Sequence, residues 1–231
     1  DIWGFSIPRL LGIEGRLEAN KDKKIVPYKR GGLEVVSTGL ITDDEDTALM
    51  WRGLMLSKAL EQFLFDVEWG NLDYLIIDLP PGTGDIQMAL GRLLPQTELV
   101  VVTTPQLSAQ KVATRVADMA KRSFIPLLGV VENMSYFESG DGNKYNIFGE
   151  GGGNELSQKF GIPLLSKIPI SEDSIEESEN GTPILLQKNK TPTKEAMQDL
   201  VNKIIKVLPP VSDETCTGRL AKVLEELEVE A

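Results

Sequence analysis

Apolar positions recur along the chain with two different periods, and these periods predict alternating strands and helices. Short apolar runs with strand composition occupy residues 33–37, 74–77, 99–103, 127–131 and 163–168. Helical spacing of apolar residues predicts helices over 46–65, 87–94, 108–121 and 193–207. The run 99–103 is apolar without alternation, which is typical of a strand covered on both faces. We therefore predict an α/β fold, a doubly wound and mostly parallel sheet with helices on both faces.

Turn residues divide the chain into a large domain and a short tail. The opening, through residue 28, has the punctuation of a loop with a short helix, and residues 138–154 are glycine-rich and polar. Pro209 and Pro210 precede an acidic helical pattern over 217–229. This organisation predicts one domain over 1–208 and an acidic helical tail over 209–231.

Residues 73–85, Asp-Tyr-Leu-Ile-Ile-Asp-Leu-Pro-Pro-Gly-Thr-Gly-Asp, are the most informative segment of the chain. The predicted strand 74–77 delivers Asp78 to its carboxyl end, where ligands bind in open parallel sheets. A carboxylate there can hold Mg²⁺ together with its water shell. The glycines of the following turn let backbone N–H groups approach a phosphate closely. The alternative reading of this segment alone is a buried strand with a capping Asp and a tight turn.

Composition and charge exclude several classes of function. The 231 residues carry 24 Lys plus Arg against 35 Asp plus Glu, a formal charge of −11, which disfavours sequence-independent nucleic-acid binding. No apolar run approaches the length of a membrane span, and no signal-peptide pattern opens the sequence. Histidine is absent, which removes imidazole bases and His-ligated zinc. Cys216 is the only cysteine, so no intrachain disulfide is possible, as expected in a reducing cytoplasm.

Several phrases occur in a fixed order along the chain. They are Asp-Ile-Trp-Gly-Phe-Ser-Ile-Pro at 1–8, Trp-Arg-Gly at 51–53, the segment 73–85, Thr-Thr-Pro-Gln at 103–106, Val-Glu-Asn-Met-Ser-Tyr-Phe at 131–137, Phe-Gly-Glu-Gly-Gly-Gly at 148–153 and Ile-Pro at 168–169. Together they closely resemble the Mrp branch of the P-loop ATPases, also called the ApbC or iron–sulfur cluster carrier family. The resemblance runs from residue 1 to roughly residue 190.

The resemblance implies an ATP and Mg²⁺ site, ATP hydrolysis in the full-length protein, a homodimer and apo iron–sulfur proteins as clients. It also implies roles for single residues. Asp1 resembles an acid of the D-x-D switch segment near the Mg²⁺ and the attacking water, and Asp78 resembles the Walker B carboxylate. The switch that senses the γ-phosphate corresponds to Gly82, Thr83 and Gly84, and contacts to the nucleotide correspond to Asn133 and Pro169. An Asn amide offers one donor and one acceptor to an adenine edge. Asp1 could instead be a chain-end residue without a role, Asn133 a strand cap, and Gln106 and Ser108 simple helix-start residues.

Two departures from the family pattern alter these expectations. The family's phosphate-binding loop, K-G-G-x-G-K-[ST], would precede Asp1, and no Lys of this sequence sits in a G-K-[ST] setting. We therefore expect this chain alone not to hydrolyse ATP. The C-P-x-C pair that usually follows M-S-Y-F is also missing, because residues 138–143 are Glu-Ser-Gly-Asp-Gly-Asn. Clusters are held by thiolates, so a bridging iron–sulfur cluster is doubtful, and Cys216 is the only thiol available as a ligand.

Other functional classes remain as alternatives. A nucleotide-switched dimeric ATPase of the MinD or ParA type would bind a membrane or DNA, but the terminal helical pattern is acidic where a membrane-targeting helix should be basic. A scaffold that keeps nucleotide-gated dimerisation and has lost its cluster cargo is a third possibility.

Overall fold

The computed structural model describes residues 1–3, 6–41, 54–82, 84–139, 141–170 and 178–210. The helices in these ranges are α1 (Ser6–Leu10), α2 (Leu54–Phe65), α3 (Asp85–Leu93), α4 (Leu107–Arg122), α5 (Gly152–Phe160) and α6 (Pro192–Val207). The strands are β1 (Glu18–Ala19), β2 (Ile25–Val26), β3 (Tyr28–Arg30), β4 (Leu33–Val35), β5 (Leu99–Thr103), β6 (Leu127–Glu132), β7 (Phe137–Glu138), β8 (Lys144–Tyr145) and β9 (Leu164–Lys167). None of the helices in these ranges is long and apolar enough to cross a bilayer.

A parallel sheet in the order β5-β6-β9 forms the centre of the α/β architecture. Its strands are separated along the chain by α4 and α5, which makes two βαβ units. Because the strands are parallel, their carboxyl ends lie at one edge. There Asn133 donates its backbone N–H to Thr103 O at 2.7 Å, and Ile168 donates to Glu132 O at 2.8 Å.

Helices cover both faces of this sheet, as the apolar pattern predicts. On one face, Val101 and Val130 pack with Ala113 and Ala117 of α4 and with Leu156 of α5. On the other face, the core consists of sheet residues packed against α6, namely Leu128, Val131, Leu165 and Ile168 with Ala196, Met197, Leu200 and Ile204. The doubly wound arrangement is therefore present around the three described parallel strands.

The structure contradicts the predicted strand over residues 74–77. Its residues form no ladder with any strand in the described ranges, and Ile76 is 88 % exposed. The segment is anchored otherwise: Ile77 and Leu79 pack against the core formed with α2 and α3, and the Tyr74 hydroxyl donates to Leu208 O at 2.6 Å. A strand exists only through pairing with a neighbour, so apolar, β-prone composition alone does not produce one.

Several of the other predicted strands and helices are present in the structure. The strands over 99–103 and 127–131 and the helices over 108–121 and 193–207 are confirmed within one residue at each end. The glycine-rich, polar stretch 138–154, for which the sequence indicates no element, contains most of the β7–β8 hairpin and the start of α5. Part of the predicted helix 46–65 and all of the tail helix 217–229 lie outside the described residues.

Candidate functional site

The structure brings Asp1 and Asp78 together although 76 residues separate them in the sequence. Both line a shallow cavity of about 140 Å³ together with Trp3, Leu79, Pro80 and Pro81. Ile2 donates its backbone N–H to Asp78 O at 3.3 Å, which fixes the two segments side by side. Asp1 and Asp78 both line this cavity, and a carboxylate is the kind of hard oxygen ligand that Mg²⁺ prefers.

A buried serine orients the Asp1 carboxylate. Ser37 is completely buried and donates its hydroxyl to Asp1 Oδ2 at 3.1 Å. The same Ser37 oxygen accepts the N–H of Gly39 and so caps the short 3₁₀ helix Thr38–Leu40. Asp1 is also held through its backbone, because Thr38 donates its N–H to Asp1 O at 3.2 Å. The Asp1 side chain therefore has a defined position at the cavity.

The glycine turn after Asp78 is closed by Gln87, a residue that the sequence interpretation missed. The buried Gln87 amide donates to Pro80 O and to Gly82 O, each at 3.0 Å, and its Oε1 accepts the N–H of Gly84 at 2.8 Å. Gly82 has φ +101°, a conformation that side chains disfavour. The signal for Gln87 was its spacing, since a Gln three residues after a helix N-cap commonly bonds back to the cap.

The carboxyl edge of the parallel sheet carries a second group of predicted residues. Asn133 follows β6 directly, is half-buried, and accepts the Met134 N–H on its side-chain Oδ1 at 2.9 Å. Ser135 donates its N–H to Ile168 O at 2.9 Å, so this loop lies beside the segment that contains Pro169. Pro169 is buried, and its carbonyl accepts the Thr193 hydroxyl at 3.0 Å.

The hairpin β7–β8 contains the position at which the family resemblance implies a cysteine pair. Asp141 accepts hydrogen bonds from the Ser139 hydroxyl and from the Asn143 side-chain amide, the latter at 2.7 Å. These donors, Ser139 first, hold the pKa of the exposed Asp141 carboxyl below its ordinary value. The Lys144 ammonium lies 4.5 Å from the centre of the Tyr136 ring. The turn therefore presents hydroxyl, carboxylate and amide groups that are hydrogen-bonded to one another, and no thiolate, among its described residues.

The predicted site residues thus fall into two structural groups. Asp1, Asp78 and Gly82 belong to the cavity and the turn beside it, whereas Asn133 and Pro169 lie at the carboxyl edge of the sheet. Gly84 is the N-cap of α3. Thr83 and Cys216 lie outside the described residues. Within the described ranges, no group of three or more acidic, cysteine or histidine side chains is arranged to hold a metal ion.

Comparison with protein-family models matches residues 1–205 to the ParA model described as the NUBPL iron-transfer P-loop NTPase. The match covers the cavity, the turn and the carboxyl-edge loop.

Curated relatives carry the same kind of name. The iron-sulfur cluster carrier protein of Aquifex aeolicus is 44% identical over 188 residues, which cover 80% of this chain and 52% of that protein. The protein of the same name from Bacillus subtilis is 38% identical over 205 residues, covering 88% of this chain and 57% of its own length. The chain therefore spans about half the length of these relatives.

A solved structure shares the fold. The nucleotide-binding protein of Archaeoglobus fulgidus, in complex with ADP and with cobalt, is 35% identical, with a TM-score of 0.63. The similarity covers 76% of this chain and 69% of that one.

Proposed function

Because the chain belongs to the NUBPL iron-transfer P-loop NTPase family, we propose that it is part of an ATP-binding, ATP-hydrolysing iron–sulfur cluster carrier or assembly factor. The observation that carries the proposal is the meeting of Asp1 and Asp78 at one cavity, next to the turn that Gln87 closes. Catalysis of phosphoryl transfer rests on positioning and electrostatic stabilisation, to which the carboxylates of Asp1 and Asp78 would contribute.

The residues fit Mg²⁺ and a nucleotide. We assign Asp78 to the Mg²⁺ through its water shell and Asp1 to the neighbourhood of the attacking water. Gly82, Thr83 and Gly84 would face the γ-phosphate, because Gly82 has no Cβ that would keep a phosphate away from its backbone N–H. The Gly84 N–H already donates to Gln87 Oε1 at 2.8 Å and shapes the turn. Asn133 would read the adenine, with Pro169 at the same end of the sheet. In the bound state the Mg²⁺ would neutralise the charge of the phosphates.

Hydrolysis also requires a phosphate-cradling loop with a lysine. The sequence contains no G-K-[ST], so we assign the activity to a polypeptide in which this chain is joined to such a loop. The chain of 231 residues alone should turn over ATP no faster than the background.

The cargo and the partners are proposed on the family relation. Iron–sulfur cluster carrier proteins share 38–44% identity with the chain, which supports apo iron–sulfur proteins as clients. A homodimer is proposed as the working form on the family resemblance alone. A single cysteine fits a cytoplasmic location. The missing cysteine pair indicates that any cluster is held weakly or by other ligands than usual.

One observation favours a second candidate function. The Ser139–Asp141–Asn143 turn offers only oxygen and nitrogen atoms, which are poor ligands for an iron–sulfur cluster. A nucleotide-switched ATPase or scaffold without cluster cargo would keep the cavity lined by Asp1 and Asp78 and have no need of thiolates.

Calorimetric titration of the natural polypeptide with ADP and with ATP, each with Mg²⁺, tests the nucleotide proposal. Saturable binding of both nucleotides is expected. A polypeptide that contains a G-K-[ST] loop and binds neither nucleotide would overturn it.

A further inference from the structure

A buried carboxylate lies at the carboxyl edge of the sheet, and none of the roles assigned above uses it. The Glu132 side chain is 1% exposed and ends strand β6. Its Oε1 accepts the Ser135 hydroxyl at 2.6 Å, and its Oε2 accepts the backbone N–H of Gly153 at 2.5 Å. The Lys167 ammonium, 3.8 Å from Oε1, supplies the opposite charge. These three partners hold the Glu132 carboxylate in one geometry. Loss of any one of them would leave part of a buried charge without a compensating hydrogen bond or counter-charge.

Those contacts bracket a strained loop. Met134 has φ +52°, in the left-handed region that side chains other than glycine rarely adopt. Such a conformation persists only where the surroundings over-determine it. The Glu132–Ser135 hydrogen bond spans Met134, and Ser135 is also tied to Ile168 O. The loop from Asn133 to Ser135 is therefore fixed at both of its ends.

The geometry of Asn133 follows from this clamp. Its backbone N–H is bonded to Thr103 O, and its Oδ1 accepts the Met134 N–H. Among the described residues the amide makes no other side-chain hydrogen bond, which leaves a second lone pair on Oδ1 and the Nδ2 hydrogens available. An Asn amide in that state can pair with the donor and acceptor edge of an adenine.

We infer that Glu132 is a positioning residue for base recognition, which acts by holding the Asn133–Ser135 loop through Ser135 and the start of α5. The inference rests on the proposed nucleotide-binding function. It concerns the base and not the phosphates, since the contacts of Glu132 lie in the Asn133 loop and at α5, not at the Asp78 turn.

Close contacts with neighbouring residues, Glu132 among them, explain the glycines at the start of α5. A Cβ on Gly153 would lie 2.8 Å from Glu132 Cβ, and one on Gly152 would lie 2.3 Å from Gln110 Nε2 and 2.8 Å from Pro105 O. The glycines therefore permit close packing. Since the Glu132 carboxylate already accepts the Gly153 N–H, that donor at the N-terminus of α5 is not available to a phosphate.

The test compares the base selectivity of variants of the natural polypeptide, measured as the ratio of the ATP and GTP dissociation constants with Mg²⁺. Inorganic tripolyphosphate is the probe for the phosphate subsite. Glu132→Gln keeps the shape and loses the charge, and Ser135→Ala removes one donor with less risk to folding. Ser135→Thr restores the hydroxyl. Glu34→Gln is the matched control, because Glu34 is a half-buried glutamate paired with Lys29 at 2.9 Å in the β3–β4 hairpin.

We expect Glu132→Gln and Ser135→Ala to reduce the preference for ATP by about tenfold, because each loosens the clamp by roughly one hydrogen bond to a charged group. Tripolyphosphate affinity should stay within about twofold. Ser135→Thr and Glu34→Gln should keep the wild-type ratio. Unchanged selectivity in Ser135→Ala, or a parallel loss of tripolyphosphate affinity, would overturn the positioning role alone. A wild-type polypeptide that binds no nucleotide would overturn the proposed function as well.

Discussion

Gln87 donates its side-chain amide to Gly82 O at 3.0 Å, and this hydrogen bond closes the turn that follows Asp78. A second bond from the same amide to Pro80 O, also at 3.0 Å, holds the other side of the turn. The conformation of the proposed phosphate-facing turn thus depends on a buried polar side chain of the next helix.

Replacement of Gln87 by Glu should destabilise the fold. An ionised Glu has the same shape but cannot donate to the two carbonyls, and it would be buried beside them. We expect a loss of about 2–4 kcal/mol in the free energy of unfolding. Urea unfolding of the 231-residue chain measures it.

The matched control is Gln62→Glu, an exposed glutamine on α2, for which a change of less than about 0.5 kcal/mol is expected. Equal stability of the two variants would show that the Gln87 bonds do not hold the turn.

The Asp141 carboxyl should titrate below the ordinary range for aspartate. Its ionised form is the one that Ser139 and Asn143 stabilise. The contribution to the hairpin is therefore present above the unfolded pKa and lost as the pH falls through the lowered folded pKa. NMR titration should show that Ser139→Ala raises the pKa of Asp141, whereas Ser139→Thr leaves it low. An Asp141 pKa that does not respond to Ser139→Ala would contradict the hydrogen-bond assignment.

Cluster binding should be weak or absent. Residues 138–143 lack thiols, and a symmetric dimer would offer only the two Cys216 thiolates. Anaerobic reconstitution of the natural polypeptide, followed by iron and sulfide counting on wild type and Cys216→Ala, measures the cluster.

The two variants distinguish the possible ligands. A stoichiometric cluster that survives the loss of Cys216 would refute the thiolate argument. A cluster that vanishes with Cys216 would make that residue a ligand and no longer a bystander. No cluster in either protein is the expected result, and it favours the function without cargo.

Assembly should depend on nucleotide. The proposed homodimer places the Asp78 turn and the 138–153 region on or near the interface. Light scattering of the natural polypeptide with ATP and Mg²⁺ should give twice the monomer mass. A strict monomer under those conditions would count against the dimer.

The sequence predicted most of the parallel sheet because the relevant signal is local. Continuous apolar runs produce β5 and β6, and helical periodicity produces α4 and α6. The segment 74–77 has the same composition, but pairing is a non-local property, and no strand of the described ranges pairs with it. Helix α5 was missed because glycine and polar residues fill its first turn.

The residue types of the candidate site were predictable from the sequence, but the buried residues that hold them in place were not. Asp78 was singled out by its motif, but its proximity to Asp1 comes from the path of the chain. Ser37 and Glu132 are buried polar residues whose partners include residues far away in the sequence, at Asp1 and Gly153. Such pairs leave no periodic signal, so pattern analysis cannot reveal them.

The most direct test of the central claim is ATP hydrolysis by the natural polypeptide carrying Asp78→Asn. The change removes the carboxylate charge and preserves the shape, so Mg²⁺-dependent turnover should fall by at least about a hundredfold. Asp73→Asn, an exposed aspartate in the same segment, should retain wild-type turnover. If Asp78→Asn hydrolyses ATP as fast as Asp73→Asn, the Asp78 cavity is not the site of the reaction.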